Sequence, residues 1–327
     1  MIRSRTLAVL AAVVAALPLA ACGTTEDAGT EPEASASAGP VTVTDSRGKQ
    51  VELKAPASKV VALEWGEAEM LVSLGAMPAG VADVKGYGTW VTAAKLDESV
   101  KDVGTRAEPS VDSIVALQPD LVVTETGRGE AIIAQLEKFV PVLVTKGSDA
   151  SDNLGRMRGD LKMIATAVGK TTEADKLLAD FDAALDAGKK RITDAGAAGK
   201  YFAIADGWQE GSTVAIRMFG QGALVSQLGI QLGLRNAWEG KVDPEWGLGQ
   251  TDVEGLTALK DKDVTFFYNA SDGDDVFVKG LADNAIWTSL PFVKQKKLQK
   301  MPDGIWTFGG PLSCQQYIEQ LVSAYAG

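Results

Sequence analysis

The sequence predicts an α/β protein of two similar lobes, each on a mostly parallel sheet, joined by one long α-helix, with a ligand cleft between the lobes. Three observations predict it. Short β-branched segments alternate with helical segments from residue 59 to residue 144, and again from residue 201 onward. Such alternation with short connections is the pattern of parallel sheets covered on both faces. Between the two stretches, apolar residues recur at helical spacing from Leu154 to Ile192, uninterrupted by proline. Finally, Pro109-Ser-Val-Asp-Ser-Ile-Val-Ala-Leu-Gln-Pro-Asp-Leu-Val-Val in the first half returns in pattern as Gln250-Thr-Asp-Val-Glu-Gly-Leu-Thr-Ala-Leu-Lys-Asp-Lys-Asp-Val in the second. Each reads as a helix running through a polar turn into a strand.

In chain order, Arg3 and Arg5 precede an apolar run, Leu7 to Leu19, too short to span a membrane comfortably and ending in small residues. Residues 1–21 therefore read as a signal peptide. Leu19-Ala20-Ala21-Cys22 reads as a lipobox, with the Cys22 thiol as acceptor of a diacylglyceryl group whose two chains suffice for stable anchoring. The expectation is a protein on the extracytoplasmic face of a bacterial cell membrane, attached to that membrane through Cys22. Residues 22–40 are small, polar and without hydrophobic period, a flexible tether.

The N-terminal lobe is read over 41–151. Val41 to Leu53 alternates around Asp45-Ser46-Arg47-Gly48, a hairpin pattern. Strands follow at Lys59–Leu63, Ala79–Ala82, Leu121–Thr124 and Val140–Val144, with helices at Ala68–Leu74, Val111–Leu117 and Ala131–Phe139. The bridging helix is read over 152–195, roughly 40 residues and about 60 Å long. Gly169 and Gly188 are the positions that would kink or divide it. The C-terminal lobe, 196–327, carries strands at Tyr201–Ala205, Val214–Phe219 and Val264–Tyr268, with helices at Ala223–Leu232 and Val253–Leu259.

Composition excludes several functions. The chain has 32 Lys and Arg against 43 Asp and Glu, a net charge of −11. Without residues 1–21, which hold two arginines and no acid, 30 bases face 43 acids and the charge is −13. So acidic a body is a poor match for nucleic acid. There is no histidine, which removes Ser-His-Asp and Cys-His catalysis and the usual zinc sites. With Cys22 lipidated, Cys314 stands alone, so no intrachain disulfide forms, and Cys314 reads as a buried core thiol. The enzyme class left open is a histidine-free cell-wall hydrolase using paired carboxylates, and no motif places two acids in one cleft. The chain is read as no enzyme, with no cofactor and no metal site of its own.

Seven tryptophans are present. Trp238 and Trp287 sit in ordinary contexts and read as structural. Trp90, Trp246 and Trp306 lie in Gly- or Pro-flanked segments (Tyr87-Gly-Thr-Trp90, Pro244-Glu-Trp246-Gly, Gly304-Ile-Trp306-Thr-Phe-Gly) where no helix or strand period explains them. Three arginines sit at loops and strand ends: Arg106 before the repeat helix, Arg128 between Gly127 and Gly129, and Arg217 before Phe219-Gly220. Each could pair with a nearby carboxylate. Together, cationic forks and aromatic faces suit a bulky, flat, oxygen-rich or anionic ligand.

At these residues the chain resembles the substrate-binding proteins of iron–siderophore and cobalamin ABC importers, through Gly104-Thr-Arg-Ala-Glu-Pro-Ser-Val-Asp-Ser-Ile-Val-Ala-Leu-Gln-Pro-Asp-Leu-Val-Val and Asn284-Ala-Ile-Trp-Thr-Ser-Leu-Pro-Phe-Val. It is most similar to the ferric-hydroxamate branch, through Ala62-Leu-Glu-Trp-Gly-Glu-Ala-Glu-Met-Leu, Met218-Phe-Gly, Leu232-Gly-Leu-Arg-Asn-Ala-Trp-Glu-Gly and Ile305-Trp-Thr-Phe-Gly-Gly-Pro-Leu-Ser. The resemblance implies a monomeric receptor that captures a ferric siderophore of hydroxamate type and delivers it to an ABC importer permease. It also implies that Arg106 contacts hydroxamate oxygens and that Trp90, Trp246, Trp306 and Phe308 line the cleft. Arg128 replaces a tyrosine of the branch, which favours a more anionic ligand, and Arg217 replaces an aliphatic residue facing the site. Permease docking falls by resemblance on Glu69 and Glu254, each of which also complements a helix N-terminus. Fe³⁺ is a hard ion, and without histidine or a tight Asp/Glu/Tyr cluster the chain would take it already chelated. The alternative of the same fold is a haem or cobalamin receptor. There Tyr, Met or Cys314 would have to supply a haem axial ligand, Tyr87 first among them.

Overall fold

The computed structural model describes residues 39–327, so the signal peptide, Cys22 and most of the tether lie outside the described residues. The hairpin is β1 (Val41–Thr44) with β2 (Gln50–Leu53). The first lobe then runs β3 (Val60–Ala62), α1 (Trp65–Ser73), β4 (Gly80–Val81), α2 (Val84–Trp90), β5 (Lys101–Asp102), α3 (Val111–Ala116), β6 (Leu121–Glu125), α4 (Glu130–Leu136) and β7 (Val142–Thr145). Its five strands are all parallel, in the order β5-β4-β3-β6-β7. All residues of β3, β6 and β7 are buried, as strands covered on both faces must be. The segment at Trp90, read from its glycines as irregular, is a helix. Asp83 caps it by accepting from the Gly86 N–H at 3.0 Å.

The single helix expected over 152–195 is instead two, α5 (Asn153–Ala167) and α6 (Thr171–Asp194). The break is at Gly169, whose φ of +68° is a left-handed conformation. A Cβ there would also stand 2.9 Å from Pro56, so glycine is required twice over. Gly188 does not interrupt α6. It lets Leu232, Ile318 and Val322 approach, since a Cβ would meet them at 2.8–3.1 Å. Helix α5 packs on α1 and β1 of the first lobe and on α7 of the second, while α6 packs on helices of the second. Helix α5 therefore touches both lobes that the bridge joins.

The second lobe runs β8 (Tyr201–Glu210), β9 (Thr213–Phe219), α7 (Leu224–Gln231), β10 (Arg235–Asn236), β11 (Leu248–Thr251), a 3-10 turn (Gly255–Leu259), β12 (Val264–Tyr268), a π turn (Val276–Gly280), α8 (Ala285–Ser289), α9 (Pro291–Lys294), β13 (Leu298–Lys300) and α10 (Pro311–Ala326). Its sheet, ordered β11-β9-β8-β12-β13 with β10 beside β8, is mixed: β8–β9 and β9–β11 are antiparallel and the rest parallel. The helix expected at Val253–Leu259 is only the 3-10 turn. Strand β8 runs five residues past the expected Ala205 and turns back through Gly211.

The internal repeat maps onto equivalent positions. Ser110 Oγ accepts from Ser113 N–H, and Asp252 Oδ1 accepts from Gly255 N–H. The strand that follows each turn pairs in parallel with its lobe's first strand, β6 with β3 and β12 with β8.

One apolar core joins Val60, Leu71 and Leu121 of the first lobe, Leu161 and Phe181 of the bridge, and Phe202, Leu228 and Tyr317 of the second. After β13 the chain crosses back to the first lobe. Thr92 N–H and Oγ both donate to Gly304 O, at 2.9 and 2.8 Å.

Candidate functional site

Loops that leave the C-terminal ends of the first lobe's parallel strands meet β9, the loop before β11 and the 305–308 segment around a cleft of about 450 Å³. That volume suits a small-molecule ligand, and the place is where α/β sheets bind them. Arg106, Arg128, Arg217, Trp246, Trp306 and Phe308 all line it. Trp90 does not. It packs behind Trp306, with ring centroids 6.2 Å apart, and so supports that indole from the far side.

The aromatic wall is continuous. Trp306 stands edge-on to Trp65 at 5.0 Å and to Phe308 at 5.2 Å, and Phe308 to Trp246 at 5.3 Å. Trp65, whose Nε1–H donates to Ala82 O at 3.1 Å, is buried behind the cleft and is a supporting residue that sequence reasoning left without a role. It opens α1, and its ring carries the Arg106 guanidinium 4.4 Å above its centre.

Each arginine around the cleft has a carboxylate partner. Arg106 donates from Nε at 2.8 Å and Nη2 at 2.5 Å to Glu64 Oε2. Arg128 Nε lies 2.6 Å from Glu64 Oε1 and 3.1 Å from Glu125 Oε1. Arg156 pairs with Asp160 at 3.3 Å. Arg217 donates from Nε to Asp206 at 2.9 Å, and its Nη2 bonds the same carboxylate.

Glu64, Glu67 and Glu125 thus form the floor, and they too were missed by sequence reasoning. The available signal was position: Glu64 and Glu125 sit at the C-terminal ends of β3 and β6. Burial pushes all three above the ordinary carboxylate range. For Glu64 the two arginines oppose that rise. Glu67, wholly buried with the Thr145 hydroxyl donating at 2.6 Å, is raised to about 7. Among the described residues, no three His, Cys, Asp or Glu side chains are grouped to hold a metal ion. With each arginine held by a carboxylate, the cleft can offer flat, polar surfaces to a ligand between aromatic faces.

Glu69 is not on the surface. It is fully buried and accepts from Ser313 N–H at 2.9 Å and Ser313 Oγ–H at 2.7 Å. It caps the N-terminal end of α10, so a docking role for this side chain is corrected. Glu254 is exposed. Cys314 is buried and unpaired, and burial raises its thiol.

The sequence pattern of the periplasmic binding protein family matches residues 60–304. The iron(3+)-hydroxamate-binding protein FhuD of Escherichia coli is 28% identical over 270 residues, 83% of this chain and 88% of its own. The probable siderophore-binding lipoprotein YfiY of Bacillus subtilis is 24% identical over 319 residues, 96% and 95% of the two chains. The crystal structure of the Fe³⁺–Desferal-bound siderophore-binding protein FhuD from Vibrio cholerae superposes with a TM-score of 0.70 at 24% identity, over 83% of this chain and 98% of that one. That likeness bears on the fold. The chain belongs to the periplasmic binding protein family, whose members bind solutes and are not enzymes.

Proposed function

We propose that this chain is an extracytoplasmic receptor that binds a ferric siderophore of hydroxamate type and passes it to an ABC importer, tethered to the membrane by lipid on Cys22. The observation that carries the reading is the setting of Arg106. Glu64 holds its Nε and Nη2 while Trp65 carries its face, which leaves Nη1 free to donate to a ligand's coordinating oxygens. The wall from Trp306 through Phe308 to Trp246 accepts the ligand's organic parts. The name of the FhuD relative agrees with a hydroxamate cargo, and that of the YfiY relative with a siderophore. The lipid anchor rests on the Leu19-Ala20-Ala21-Cys22 pattern.

Charge pairing bears on Arg128 in this reading. Its charge is taken up by Glu64 and Glu125, so it does not make the cleft anion-seeking. The haem reading loses its first candidate ligand. Tyr87 is buried, its hydroxyl donates to Ala94 O at 2.5 Å, and burial raises its pKa.

For docking on the permease, Glu254 keeps its role in this reading. In the same reading the first-lobe partner is Asp112, exposed and two residues after the cap Ser110, as Glu254 is two residues after the cap Asp252.

Tryptophan fluorescence of the purified protein, titrated with a ferric trihydroxamate, a ferric catecholate, haemin and cobalamin, tests the cargo. Saturable quenching by the hydroxamate, weakened by Arg106→Ala, supports the reading. Saturation by haemin or cobalamin alone overturns it.

A further inference from the structure

Trp208 is one of the few large apolar side chains left exposed among the described residues, at 38%. The register of the β8–β9 hairpin explains where it points. Asp206 lies opposite Arg217, Trp208 opposite Ala215, and Glu210 opposite Thr213. Side chains alternate between faces along a strand, so these six share one face. The other face, with Ala205, Val214, Ile216 and Met218, is packed into the second lobe's core. Arg217 lines the cleft, and Trp208 is therefore the next large side chain outward on the same surface.

Three aromatic rings surround the Arg217 guanidinium: Phe308 at 5.5 Å, Phe219 at 5.8 Å and Trp208 at 6.0 Å. Asp206 engages Arg217 through Nε and Nη2, which balances the charge and fixes the fork. Across from Trp208 the small Ala215 leaves the indole uncovered. The result is a flat, charge-balanced, half-apolar shelf continuous with the cleft.

The geometry points to Trp208 as a specificity-determining ligand contact. In this role it stacks on the uncharged amide and methylene arm of a linear ferric trihydroxamate whose chelate sits against Arg106. This rests on the proposed function and refines its ligand: an extended, uncharged arm matches the shelf, whereas a compact cyclic chelate has no such arm to lay on it.

The test compares full-chain protein, purified in detergent, with its Trp208→Ala variant, each titrated with ferric N-acetyl-desferrioxamine B (linear, its terminal amine capped so that the arm is uncharged) and with a cyclic ferric trihydroxamate. Loss of one aromatic stacking face is expected to weaken the linear complex about five- to tenfold and leave the cyclic complex unchanged. Equal affinity of both proteins for the linear complex overturns the assignment, as does an equal loss for both complexes. If the wild type binds neither, the proposed function fails with it, a result plainly different from wild-type binding insensitive to residue 208. A second readout avoids dependence on the alanine variant. The Trp208 indole N–H resonance, assigned by its loss in Trp208→Phe, should shift on adding the diamagnetic gallium complex of N-acetyl-desferrioxamine B. An unmoved Trp208 signal beside shifted Trp246 and Trp306 signals overturns the proposal.

Discussion

The Glu64 carboxylate, at the end of the first lobe's central strand, fixes the Arg106 guanidinium through two donors at 2.8 and 2.5 Å while Trp65 lies 4.4 Å beneath its face. The same carboxylate reaches Arg128 at 2.6 Å. One buried acid therefore positions and half-neutralises the two arginines of the first lobe's rim.

Replacing Glu64 separates orientation from charge. Glu64→Ala leaves two arginines without their shared partner, so the affinity for an uncharged ferric hydroxamate should fall about tenfold, the scale of a lost charge-assisted hydrogen bond. The affinity for an anionic ferric citrate should rise in the same variant. Parallel fluorescence titrations check both signs, and a fall for both ligands would mean that Glu64 serves the fold alone.

Glu67 makes stability depend on pH. Its carboxyl is raised by burial from 4.5 to about 7, so the folded chain holds a proton that the unfolded chain releases. Its contribution is complete below about pH 4.5 and is lost as the pH rises through about 7, to a total of about 3 kcal/mol. Glu67→Gln, which keeps an acceptor for Thr145, should be more stable than wild type at pH 8 and equal to it near pH 4.5. Denaturant melts at the two pH values measure the difference, and an equal gap at both would refute it.

The burial of Glu69 predicts a stability phenotype. Glu69→Ala strips two hydrogen bonds from the start of α10 and should cost about 2–3 kcal/mol, seen as a shifted denaturation midpoint. Charge reversal at the exposed Glu254 or Asp112 should leave both melting and ligand titration unchanged while lowering uptake by cells. A stable Glu69→Ala protein defective only in uptake would restore docking to residue 69.

The lobes should move little on binding. They share one apolar core, and Asn153 Nδ2 at the start of α5 donates to Gly222 O at 2.8 Å before α7. Scattering with and without ligand should give the same radius of gyration. A Cβ on Gly222 would stand 2.4 Å from Ala150 O, so Gly222→Ala should force this contact apart and cost about 1–3 kcal/mol. A measurable closure on binding would count against the shared core as a brace.

The sequence by itself determined the two-lobe α/β plan. Buried β-branched strands such as Leu121–Glu125 and periodic helices such as Thr171–Asp194 are local patterns, and the internal repeat declares the second lobe. It also picked out Arg106, Trp246 and Trp306, which sit in loops that no secondary-structure period explains, and the resemblance added Phe308; the acidic residues of the cleft stayed hidden. Only the tertiary structure decided three things. Which of the two candidate glycines divides the helix was one: Pro56, more than a hundred residues away, stands against Gly169, whereas Gly188 stays helical beneath Leu232, Ile318 and Val322. The burial of Glu69 follows from the arrival of Ser313, 244 residues downstream. The charge balance of the cleft follows from Glu64 meeting Arg106 and Arg128, and Asp206 meeting Arg217, across strands and loops. Periodicity reports which face of an element is covered; which residue covers it, and with what charge, is set by packing between distant segments.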